Sequence, residues 1–127
     1  TANFKDLYQG PITVTANTAY VASLWIKGTG TIALNVWNGA WTVTVATKNC
    51  TASAGWTQCT LSFNSGSRTS LLIDLETAVN GAGTIYVDDV FLGMSGGANL
   101  LANPGFESGN TVWATNAAGT WSILQNP

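Results

Sequence analysis

The chain turns on GTIYVDDVFLG, Gly83 to Gly93, followed by MSGGA at Met94 to Ala98 and NLLANPGFESG at Asn99 to Gly109. Thr84 to Leu92 is dense in β-branched and aromatic residues and reads as a strand. Tyr86, Asp88, Val90 and Leu92 fall in phase along it, which turns Asp88 toward the core and Asp89 toward solvent. MSGGA has the composition of a Gly/Ser linker. Working back toward the N-terminus, strands read over 8–14, 20–27, 31–37, 40–46, 56–64 and 70–75. Turn residues separate them at 16–18, 28–30, 38–39 and 65–68, and no stretch reads as a helix of ordinary length.

Alternation assigns the faces. Tyr20, Ala22, Leu24 and Ile26 share one side of their strand, and Ile32, Leu34 and Val36 one side of the next. Asn38-Gly39 is the strongest hairpin signal, because a type I′ turn needs positive φ at both positions. A two-residue turn there pairs Val36 with Trp41, Leu34 with Val43 and Ile32 with Val45, giving a consistent apolar side that includes Trp41. The opposite side carries Ser23, Trp25, Lys27, Asn35 and Trp37 among other mostly polar residues. Thr57, Cys59, Leu61 and Phe63 make a further core-facing set.

Composition narrows the function classes. A chain of 127 residues is one domain with room for a core, and 46% hydrophobic against 8% charged residues suits an all-β, extracellular protein. Four scattered cations cannot form a track for nucleic acid. No apolar run approaches the ~20 residues of a membrane-spanning helix. Cys50 and Cys59 flank TASAGWTQ, a turn between two strands; a disulfide across that hairpin or two buried thiols both fit, and secretion favours the first.

NLLANPGFESG and YVDDVFLG resemble two signatures of the carbohydrate-binding modules of the family 4/9/16/22 type, galactose-binding-like jelly rolls of two antiparallel sheets. In that group the first signature opens the domain and the second ends it, whereas here the order is inverted. Placing residues 98–127 before residue 1 restores the family order, including YQGPITVTANTAYVASLWIKG at Tyr8 to Gly28 and GWTQ at Gly55 to Gln58. The resemblance implies a single circularly permuted jelly roll over 1–127. The competing readings are a tandem-module protein cut out of frame, its tail the start of the next repeat, and, for function, a structural or adhesive repeat of a secreted multidomain protein whose tail completes a neighbouring copy by strand exchange.

The resemblance implies a secreted, non-catalytic module that binds a polysaccharide or oligosaccharide and targets an attached glycoside hydrolase. Sugar rings stack their C–H faces on flat aromatic rings and offer hydroxyls to nearby polar groups. Trp25 and Trp37 fit the first need, and Asn35, Lys27, Ser23 and, from a bordering strand, Gln9 fit the second. Trp56 is similar to the family's packing tryptophan, and Trp113 and Trp121 fall in the opening segment. A structural Ca²⁺ is also implied, at Asp88 and Glu107. An in-phase, core-facing Asp88 would need such a cation to offset its burial.

Catalysis has little support in the residues. With no His, a Ser-His relay is impossible, and Asp74 with Glu76 reads as an ordinary strand rather than a glycosidase pair.

Overall fold

The computed structural model describes residues 4–78, 84–105 and 113–115, and among these every regular element is a strand. In chain order they are β1 (Phe4–Thr13), β2 (Ala19–Gly28), β3 (Thr31–Asn38), β4 (Thr44–Thr51), β5 (Thr57–Asn64), β6 (Ser70–Ala78), β7 (Ile85–Gly93) and β8 (Ala114–Thr115). All pairs are antiparallel. One sheet runs β4-β3-β6-β1-β8 and the other β5-β2-β7. The result is the jelly-roll sandwich expected from the sequence. Its core lies between the sheets, with Leu7, Ile32, Leu34, Val36, Ile73 and Leu75 from the first meeting Tyr20, Ala22, Leu24, Ile26, Val90 and Leu92 from the second. The faces read from alternation on β2 and β3 are the faces observed.

The β3–β4 connection departs from a two-residue turn. Asn38 N–H donates to Val43 O at 3.0 Å, and Asn38 Oδ1 accepts from the N–H groups of Thr42 (2.8 Å) and Val43 (2.9 Å). The asparagine side chain thus satisfies the donors of a longer loop, with Trp41 in the left-handed region at φ 63. Pairing becomes Val36 with Ala46, Leu34 with Lys48 and Ile32 with Cys50, and Trp41 leaves the core for the surface. Gly39 does not use positive φ. A Cβ there would meet Ser70 Oγ at 2.1 Å, so glycine is required by the close approach of β6.

Cys50 and Cys59 are bonded, as expected, but not across a hairpin. Their strands lie at the edges of opposite sheets, so the bond clasps the sandwich along one side. Lys48 Nζ reinforces this edge by donating to Thr60 O at 2.9 Å.

After β7, MSGGA forms a turn in which Gly97 N–H donates to Met94 O at 2.8 Å. The chain then returns along β7. Leu100 N–H bonds Leu92 O, Val90 N–H bonds Pro104 O, and Asn99 holds Leu92 N–H and Val90 O with its amide. Trp113 is buried with its Nε1–H on Asn103 O, and β8 pairs with β1. The described part of the C-terminal segment therefore packs on the sandwich formed by the preceding residues. Trp121 lies outside the described residues.

Gln9 is central to that packing. It faces inward, opposite Ile73, and is only 6% exposed. Its Nε2 donates to Ala102 O at 2.9 Å and its Oε1 accepts Ala102 N–H at 2.8 Å. Both amide atoms are spent, so Gln9 does not border a sugar-binding face. Gln9→Ala removes both bonds and is expected to cost about 1–2 kcal/mol by chemical denaturation. An unchanged midpoint would show that residues 99–105 hold their place without it.

Candidate functional site: the outer face of the five-stranded sheet

Trp25 and Trp37 do not share a face. β2 and β3 follow one another in sequence but enter different sheets, so their outward residues point to opposite sides of the sandwich. Trp37 and Asn35 lie on the five-stranded sheet. Trp25, Ser23 and Lys27 lie on the three-stranded one.

On the five-stranded sheet, register sets up neighbouring rows of outward side chains. Thr47, Asn35, Asp74 and Tyr8 form one row, and Asn49, Ala33, Glu76 and Asp6 the next. Trp37 lies beside Leu72 in a third. The β3–β4 loop swings Trp41, 39% exposed, onto this face. Its ring centroid is 5.5 Å from Trp37 and 5.0 Å from Tyr8, edge-on to the latter. Three aromatic rings thus gather over a polar floor.

That floor is acidic. Carboxylate oxygens of Asp6, Asp74 and Glu76 lie within 4.8 Å of one another. Asn35 Nδ2 donates to Glu76 Oε2 at 3.2 Å and Asn35 Oδ1 accepts from Thr47 Oγ1, which fixes the amide orientation. Asp74 is 1% exposed. Burial, followed by the charges of Asp6 and Glu76, pushes its pKa up to about 7, with Asn35 and Trp37 pulling the other way. Asp74 Oδ1 and Trp37 Nε1 are both buried, and neither makes a hydrogen bond of good geometry. The indole is nonetheless close enough to favour the ionised carboxylate. Burial also raises Asp6, and burial and then the Asp6 charge raise Glu76.

Sequence reading missed this cluster because Asp6 and Glu76 meet only through the β1–β6 register. One local signal existed: Asp74 and Glu76, two apart on a strand, must share a face. Flat rings for stacking, beside carboxylates, an amide and a hydroxyl for hydrogen bonding, can hold a ligand with alternating apolar and hydroxylated surfaces.

The remaining sequence candidates fall on the other side of the molecule. Lys27 Nζ sits 5.1 Å from the Trp56 ring centroid and 5.5 Å from that of Tyr86, a cation–π clamp that occupies it. Trp56 is itself 37% exposed rather than packed in the core. Asp88 faces outward beside Trp25, because Asp89, at φ 49, and Val90 together oppose Leu24 in a β-bulge that reverses the alternation. Val90 stays buried, and Asp88 Oδ1 accepts Asp89 N–H at 2.9 Å. Asp88 thus does not point into the core as the alternation of the sequence implied, and Glu107 lies outside the described residues.

No protein-family model matches this chain, and no curated protein matches it. Solved structures do. One described as "PbXyn10C CBM APO" superposes with a TM-score of 0.65 at 23% identity, covering 89% of this chain and 71% of that one. Another, described as "CBM4 structure and function", gives a TM-score of 0.56 at 15% identity over 71% and 73%. At these identities the likeness shows a common fold, the jelly-roll sandwich of carbohydrate-binding modules.

Proposed function

We propose that this chain is a non-catalytic carbohydrate-binding module that lays a glycan across the outer face of the five-stranded sheet. The gathering of Tyr8, Trp37 and Trp41 over the Asn35–Asp74–Glu76 floor carries this reading. The rings stack on sugar faces, while the carboxyl groups of Glu76 and Asp6 hydrogen-bond to hydroxyls, Asn35 holding Glu76 in place. The carboxylates make an anionic glycan a poor ligand, so the substrate class is a neutral polysaccharide. The disulfide and the fold shared with solved carbohydrate-binding modules support a secreted setting, attached to a polysaccharide-degrading enzyme. The packing of residues 99–105 along β7 supports a permuted order of the family's segments within one domain.

Hydrolysis by the acidic trio is the weaker reading. Asp6 and Glu76 occupy facing positions on adjacent strands and address a ligand from the same side, whereas glycosidic cleavage needs carboxyl groups flanking the bond.

Native electrophoresis through gels containing xylan, mannan or β-glucan tests the proposal. Retardation is expected in at least one neutral gel. Trp37→Ala or Trp41→Ala should weaken binding at least tenfold, about 1.4 kcal/mol. Full retention of affinity by both variants would place the site elsewhere.

A further inference from the structure

The outer face of the three-stranded sheet carries an open groove of about 620 Å³, a volume typical of small-ligand sites. Ser23, Gln58, Thr60, Ser62 and Phe91 line it, with Asp89 at its side. Among the described residues, no hydrogen bond occupies the side chains of Gln58, Thr60 or Ser62. Trp25 stands beside the groove, directly across from Gln58 on one strand and Asp88 on the other, and is 38% exposed. A large ring turned to water next to unspent hydroxyl and amide groups repeats, with different residues, the chemistry of the opposite face.

The occupant follows from that chemistry. A second protein would need a continuous apolar centre, whereas here Val21, Phe91 and Pro104 are interleaved with Ser23, Gln58, Thr60 and Ser62. An anionic ligand would meet Asp89 at the groove and Asp88 beside Trp25, while Lys27 is held between Trp56 and Tyr86 and Lys48 is spent on Thr60 O. Neutral hydroxyl-rich chains suit both the free side chains and the two rings, Trp25 and Phe91.

We infer that this groove is a second saccharide site, so that one domain holds two neutral glycan chains at once, one on each sheet. The inference rests on the glycan-binding reading of the first face. With sheets ~10 Å apart and a layer of side chains on each, the two chains would run roughly 20 Å from one another. A domain so built cross-links polysaccharide rather than merely adhering to it.

Calorimetric titration with hexasaccharides of xylan, β-glucan and mannan, together with precipitation of the corresponding soluble polymers, tests this. Two sites per chain are expected for the bound sugar. Trp37→Ala and Trp25→Ala should each leave one site and abolish precipitation. Thr60→Ala, a milder change on an exposed residue, should weaken the second site alone. One site, lost in Trp37→Ala and indifferent to Trp25→Ala, overturns the second site and leaves the first. One site lost only in Trp25→Ala overturns both readings, as does absence of binding to every sugar.

Discussion

Between pH 5 and pH 8 the wild-type domain is expected to lose stability that Asp74→Asn retains. Asp74 titrates near 3.8 when unfolded and near 7 in the fold, because burial and the neighbouring Asp6 and Glu76 charges disfavour its ionised form. A raised carboxyl pKa means that the folded state holds a proton the unfolded state has released. Stability is therefore full below about pH 4 and falls as pH climbs through 7. A rise of roughly three units corresponds to at most about 4 kcal/mol, and relaxation around the site will reduce it. An asparagine keeps the size and neutrality of the protonated acid and has no proton to lose. Melting curves should then diverge with pH, with the variant ahead by several degrees at pH 8 and close to wild type at pH 4. Parallel curves would mean that Asp74 is ionised throughout, with its charge met by groups such as Trp37 Nε1.

This cluster also marks how far the sequence could be read. Period-two patterning is local and strong, so the inward residues of β2 and β3 follow from the sequence alone. The partner of each strand is not local. Tyr20–Lys27 and Thr31–Trp37 look like a hairpin joined by Gly28-Thr29-Gly30, yet each enters a different sheet, and nothing in their own residues distinguishes the two outcomes. That single ambiguity separated Trp25 from Trp37. Two smaller misreadings have side-chain causes. Asn38 accepts backbone hydrogen bonds that stretch its turn and deliver Trp41 to the surface. Asp88 caps the next N–H in a bulge, reversing the phase of YVDDV. Asparagine and aspartate tolerate such geometry, but their presence does not announce it. The acidic floor required the β1–β6 register, across some seventy residues of chain.

The second large effect concerns the clasp. Replacing both Cys50 and Cys59 by serine opens a loop with a sequence separation of 9, and loop-closure entropy alone assigns the bond about 2–3 kcal/mol. Its position adds to the expectation, since it ties the edge strands of two sheets that share no backbone hydrogen-bond ladder. The serine hydroxyls would also stand where two buried sulfurs now lie. A fall of about 10 °C in melting temperature is expected for a domain of this size, with the same loss on reducing the wild type. Lys48 still bridges the sheets in the variant through Thr60 O, so the fold should survive at room temperature. Binding at the Trp37 face should persist there, because β3 is held by β6 as well as by β4. A drop of under 2 °C would show instead that core packing and the Lys48 bridge already fix the two sheets. The bond would then matter for folding kinetics or protease resistance rather than for the native balance.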